Sequence, residues 1–120
     1  MSKEQLNERQ LLANQEMDKY FKVVDDAKEK GSLSSYDILK LLHGELTGSV
    51  EYVRDRNFGL GGIFGPEKEA QCEEIAKVMA FLPAKYGIES YTITDFAYNH
   101  AFNMTRLKKD GKIYYMDASF

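Results

Sequence analysis

Three side chains in this 120-residue sequence have the types needed to break and remake an acyl bond: Cys72, the single cysteine, His100 and Asp117. A thiol attacks a carbonyl only after its proton is taken. It therefore needs a base that later returns the proton, and the base needs an acceptor group that orients it. Cys72 falls within the first two turns of a predicted helix, where unpaired N–H groups and the partial positive charge of the helix favour a thiolate and can cradle an oxyanion.

Each residue also has a plainer reading. Cys72 shares an apolar stripe with Ile75, Ala76, Met79 and Leu82, and a cysteine in such a stripe is most often core filler. Glu73 and Glu74 suit the helix dipole but repel a neighbouring thiolate, so an imidazolium has to compensate. A lone His in a strand is usually a satisfied polar residue. Asp117 is more telling, because it follows the run Ile113-Tyr114-Tyr115-Met116 and, if buried, needs a partner that a His on the adjacent strand would supply.

The elements that must position these residues are legible as periodicities. Apolar residues from Met17 to Val24 keep a helical period and predict a helix over 10–29, stopped by Gly31 in the left-handed position that ends many helices. Ser32 to Ser35 offer cap hydroxyls for a second helix over 35–54, with a break or bend expected near Thr47-Gly48. The stretch 57–66 interleaves four glycines with large apolar residues and reads as a loop whose apolar side chains tuck into the core. It lacks the Lys-Ser/Thr ending of a phosphate-binding loop.

A third helix is predicted over 67–82, with Pro83 making Leu82 a poor helical residue and Gly87 ending any further turn. From Ile88 the pattern alternates, predicting strands over 91–96, 100–107 and 112–119 with a hairpin signal at Asp110-Gly111. The expected fold is α+β: N-terminal helices and a Cys-bearing helix packed on a small antiparallel sheet. It forms one domain, with a helical part over 1–55 and the Cys-bearing helix plus sheet over 66–120.

Composition narrows the function classes. A chain of this length buries roughly two-thirds of the surface its unfolded form exposes and needs no staples. The net charge of -3 gives no electrostatic footprint for a phosphate backbone, so nucleic acid is not expected, and Arg106, Lys108, Lys109 and Lys112 read as a solvated hairpin tip. No apolar run reaches the roughly 20 residues of a membrane span, and the N-terminus has no signal-peptide core. With one cysteine there is no internal disulfide, which points to a reducing, cytoplasmic setting, or to delivery by a secretion route without a cleaved signal. His43 and Glu45 have no metal-site spacing, so neither metal nor cofactor is expected.

Cys72 opening an Ala-containing helix, Tyr86-Gly87-Ile88, His100-Ala101-Phe102-Asn103, Asp110-Gly111-Lys112-Ile113-Tyr114 and Asp117-Ala118-Ser119 follow one another in an order that resembles the transglutaminase-like superfamily of papain-related thiol enzymes. That family shows a Cys at a helix start, a Gly-Ile turn, His-Ala-Trp-Asn, Asp-Gly-Lys-Trp-Tyr and Asp-Ala-Thr. Here Phe102 stands in place of the Trp and Gln71 in place of the small residue before the Cys. The resemblance implies a transglutaminase-like, papain-like fold with Cys72 as nucleophile, His100 as base and then acid, and Asp117 fixing the imidazole. It further implies the Cys72 N–H as oxyanion donor, with the Gln71 side chain a weaker candidate, and Tyr98 and Asn99, just before His100, are placed by the sequence to line a substrate cleft. The substrate would be a protein or peptide amide, or a small amide or acyl donor, in a peptidase, deamidase or acyl-transfer reaction.

The hairpin sets a geometric condition on that reading. A two-residue turn at Asp110-Gly111 would place Asp117 opposite Met104, roughly 14 Å along the strand from His100. A wider turn using Lys108 and Lys109, or a bulge, is therefore expected if the two side chains are to meet. The alternative function is a catalytically inactive binding or regulatory module, motivated by Gln71 and the acidic neighbours of Cys72. Its exposed sheet edge would receive a partner or a second copy of the chain.

Overall fold

In the computed structural model, the described residues are 2–53, 61–65, 67–95, 100–107 and 112–117. The first helix, α1 (Lys3–Lys30), starts earlier than its apolar stripe predicts because Ser2 and Gln5 form a capping box, Gln5 N–H donating to Ser2 Oγ at 3.1 Å and Ser2 N–H to Gln5 Oε1 at 2.8 Å. Leu6 in this extension stays exposed, so the cap rather than burial begins the helix. Gly31 does cap the other end, yet its φ of 166° is extended backbone and not the left-handed geometry expected.

The second helix, α2 (Ser35–Ser49), opens on a matching capping box between Ser34 and Asp37 and runs unbroken through Gly44 and Gly48. It stops short of the predicted residue 54 because Val50 turns extended and a two-residue strand follows. This strand, β1 (Glu51–Tyr52), pairs in parallel with β2 (Glu69–Ala70), with Glu51 N–H donating to the Lys68 carbonyl at 2.8 Å. Between them Gly61–Phe64 form a one-turn helix, α3, where a loop was expected, and it buries Ile63 and Phe64, while Phe58 and Leu60 of the same stretch lie outside the described residues. Lys68, with φ of 53°, reaches back to Glu16 Oε2 at 2.6 Å and ties this segment to α1.

The helix α4 (Cys72–Ala84) begins later than the predicted 67, because Glu69 and Ala70 are spent on β2. Leu82, expected to leave the helix ahead of Pro83, stays helical and fully buried. A proline in the last turn leaves the Met79 carbonyl without its helical donor. The two carbonyls beyond it are recovered, Gly87 N–H donating to Ala84 at 3.1 Å and Ile88 N–H to Pro83 at 3.2 Å, in the paired pattern that ends a helix on a left-handed residue. Gly87, at φ 73°, is that residue.

Three antiparallel strands follow in the order β3 (Glu89–Asp95), β4 (His100–Arg106) and β5 (Ile113–Met116), the first two ending and starting close to the predicted bounds. Alternation divides β4 cleanly: Ala101, Asn103 and Thr105 are buried under α4, while His100, Phe102 and Met104 belong to the opposite face. Helices and strands share one core, with Val24, Leu39, Leu42, Leu46, Ile63, Ile75, Met79, Leu82 and Leu107 among its buried members. The architecture is α+β, and no helix among the described residues is long and apolar enough to cross a membrane.

The Gly87 turn carries its own test. A Cβ added there meets nothing within 4 Å, so the only penalty in Gly87→Ala is the left-handed backbone. Denaturant unfolding should show a loss of about 1–2 kcal/mol, with Gly87→Asn losing less.

Candidate active site

The site begins with the β4–β5 register. Arg106 faces Ile113, Thr105 faces Tyr114 and Asn103 faces Met116, and Leu107 N–H donates to the Lys112 carbonyl at 3.2 Å. Four residues, 108–111, therefore separate the paired ends instead of two, and they lie outside the described residues. Extending the ladder puts Asp117 opposite Phe102, two positions from His100 on the same face, a diagonal separation of about 7 Å that long side chains can span. They do span it: His100 Nε2 and Asp117 Oδ2 are hydrogen-bonded.

Both side chains are mostly covered, and the imidazole stacks against Phe102 with 6.4 Å between ring centroids and 22° between planes. Phe102 in turn meets the Tyr115 ring edge-on at 6.0 Å. The open face of the sheet thus gives His100 a second support besides the carboxylate. Engagement of Nε2 by Asp117 has a chemical consequence. In the neutral imidazole that donates through Nε2, the basic nitrogen is Nδ1.

Cys72 is the first residue of α4, with Gln71 as its N-cap and Ile75 N–H making the first helical bond to the Gln71 carbonyl at 3.1 Å. The N–H groups of Cys72, Glu73 and Glu74 precede that bond and so have no helical acceptor. The thiol is only half-buried, unlike Ile75, Ala76, Met79 and Leu82 with which it shares a stripe, so it is not the core filler its pattern suggests.

Asn103 gives the helix and the sheet a common origin. Its Nδ2 donates to the Ala76 carbonyl at 2.8 Å from a side chain that is 1% exposed. From that contact Cys72 lies four residues, or about 6 Å, back along α4. His100 lies three residues, or about 10 Å, back along β4. β3 returns along α4 and β4 runs antiparallel to β3, so both displacements have the same sense. The topology brings Cys72 to the end of the sheet that holds His100 and Asp117, while no hydrogen bond joins the thiol to either among the described residues. Gln71 also sits at this end, making no side-chain cap bond to the helix. Tyr98 and Asn99 lie outside the described residues.

Two residues with a part in this arrangement were given no role in it by the sequence, where Asn103 stood only as the end of the His100 motif and His43 only as a residue without metal-site spacing. Asn103 is the buried polar member of a helix-facing set, visible only once the strand's parity is known. His43 of α2 lies four residues after Leu39 on the apolar stripe, and its Nε2 is 3.2 Å from the backbone carbonyl of Asp117. A cleft of about 330 Å³ between α2 and β5, walled by Tyr36, Leu39, Tyr114 and Met116, opens beside this contact. No group of His, Cys, Asp and Glu suited to a metal ion occurs among the described residues.

A comparison with solved structures finds similarity to a protein described as a "TGase" in its crystal structure, with a TM-score of 0.63 and 15% identity, covering 99% of this chain and 33% of that one. The chain thus spans about a third of that protein's length. At this identity the likeness is one of fold, and it supports a transglutaminase-like arrangement of helix and sheet. No protein-family model matches the sequence. A search of curated proteins likewise finds no match.

Glu74 makes the electrostatics of the first turn testable. It is 5% exposed, and burial raises its pKa above the ordinary 4.5, with the nearby Glu73 adding to the shift and the backbone N–H of Gln71 opposing it. A raised value in the folded state means that the native protein holds this proton longer than the unfolded chain. Stability from Glu74 is therefore full below pH 4.5 and is lost as pH rises through the folded-state value. Glu74→Gln should be more stable than the parent at neutral pH by about 1 kcal/mol, and thermal melts of the two should converge in acid.

Proposed function

We propose that this chain is a cysteine-dependent enzyme of transglutaminase-like type acting on amide or acyl groups, with Cys72, His100 and Asp117 as its catalytic set. The observation that carries the reading is the His100–Asp117 hydrogen bond, formed at the end of the sheet where α4 starts with Cys72. Asp117 accepts from Nε2–H and holds the ring in one tautomer, so Nδ1 takes the proton from the Cys72 thiol. The thiolate sulfur attacks the substrate carbonyl carbon, and the carbonyl π electrons move to oxygen at the N–H groups of the first turn of α4. Collapse of the tetrahedral adduct expels the leaving amine, which receives its proton from Nδ1, and leaves a thioester on Cys72. Water or a second amine then attacks the thioester, loses a proton to Nδ1 and releases the free thiol.

Imidazolium formation is what makes the thiol usable here. Glu73 and the buried Glu74 oppose a negative sulfur, so the positive ring and the helix N-terminus must outweigh them. The substrate is a protein or peptide amide, or a small amide or acyl donor, and the setting in this reading is cytoplasmic. The competing reading, a module that keeps the fold without turnover, draws on the same acidic first turn. It predicts that Cys72→Ala retains every cellular effect of the parent.

Because Cys72 is the single cysteine, alkylation by iodoacetamide reports on this site alone. The native protein should react about tenfold or more faster than its urea-unfolded form near pH 6–7, where an ordinary thiol is mostly protonated. His100→Ala should bring the rate down to that of the unfolded chain. A native rate no faster than the unfolded one at every pH would overturn the catalytic reading.

A further inference from the structure

We propose that His43 is a positioning residue: its Nε2–H donates to the Asp117 carbonyl and so fixes the carboxylate that orients His100. The inference rests on the catalytic reading above, and it assigns α2 a part in the site beyond covering the core. It starts from the hydrogen-bond phase of the β4–β5 ladder. Residues directly opposite one another in an antiparallel pair alternate between exchanging both backbone bonds and exchanging none. Leu107 and Lys112 are a bonded pair, so Thr105 with Tyr114 and Asn103 with Met116 are bonded too. Asp117, one residue on, falls in the other class, and its carbonyl points away from β4.

Among the described residues β5 lies at the edge of its sheet. α2 supplies a donor to this outward carbonyl. His43 lies on the same stripe as the buried Leu39, Leu42 and Leu46, which lock the helix into the core, and its ring projects from that anchored face to the Asp117 carbonyl at 3.2 Å. The carbonyl and the carboxylate belong to one residue. Holding the first restricts the second, and the carboxylate holds His100 Nε2.

The polar groups around the contact agree with this direction of donation. Within the cleft the ring is neighboured by Tyr36, Lys40, Tyr114 and the apolar Leu39 and Met116, and the one carboxylate among the described lining residues is that of Asp117 itself, which is engaged by His100 Nε2. A backbone carbonyl accepts only, so the contact requires the proton on His43 Nε2 in the neutral ring.

The test uses the full chain and two readouts: side-chain ¹⁵N NMR of the two histidines, and the iodoacetamide rate of Cys72. In the parent protein His43 must show the Nε2–H tautomer, and the Nδ1–H tautomer there overturns the proposal with no variant made. His43→Leu should turn the single His100 tautomer into a mixture and slow alkylation about tenfold, the effect of one lost hydrogen bond in a positioned site. His43→Gln, which keeps an N–H donor at similar reach, should restore both readouts. A His43→Leu protein that matches the parent, or a His43→Gln protein as impaired as His43→Leu, overturns the inference. Asp117→Asn separates the two levels: if it moves neither readout, the catalytic pairing itself fails, and if it moves both while His43→Leu moves neither, only the role of His43 fails.

Discussion

The amide of Asn103 fixes the relation between the two halves of the candidate site. It stands in the middle strand of the sheet, faces α4, and donates to the Ala76 carbonyl and, at 3.4 Å, to that of Tyr91 on β3. Apolar packing alone would let a helix slide or roll on a sheet at little cost, since Ile75, Val78, Met79 and Leu82 present a surface without direction. A directional bond from a buried side chain removes that freedom. Its Oδ1 has no partner in the described structure, so the burial is not without penalty. A polar residue retained at a cost to stability is reasonably read as setting register, and here the register in question is that of Cys72 relative to His100.

The second constraint is the length of the β4–β5 connection. Side-chain parity puts His100 and Asp117 on one face under any register shifted by two, but only distance decides whether they touch. Four connecting residues bring them two positions apart, where imidazole and carboxylate bond diagonally across the strands. Because Asp117 lies just past the ladder, the bond depends on atoms the ladder does not hold. That is why Phe102 under the ring and α2 beside the carbonyl matter to the geometry as much as the hydrogen bond itself.

Much of this was legible in the sequence, for reasons that also explain what was not. The helical stripes and the alternation after Ile88 are long enough to declare their period, so both long helices, α4 and the three-stranded sheet follow from them. The strands β1 and β2 have two residues each, too few for any period, and they exist because tertiary packing brings Lys68 and Ala70 to Glu51 and Val53. Their presence shifts the start of α4 to Cys72, a change that hydrophobic pattern could not reveal. Asp110-Gly111 signalled a tight turn, whereas the register follows the pairing of Asn103, Thr105 and Leu107 with their partners. His43 looked like an isolated polar residue because the carbonyl it serves is 74 positions away.

The acidic first turn of α4 bears on whether such a site can work at all. Glu73 is exposed and pairs with Lys77 at 3.0 Å, so much of its field is met by a neighbouring cation and by water. Glu74 is buried, and that burial disfavours its charged form against the opposing Gln71 backbone N–H. Deprotonating the thiol next to it would raise the cost of ionising Glu74 further, since like charges in one low-dielectric turn oppose each other. The helix N-terminus and the imidazolium then act on a sulfur whose acidic neighbours are partly muted, one by a lysine and solvent and the other by a burial that disfavours its charge.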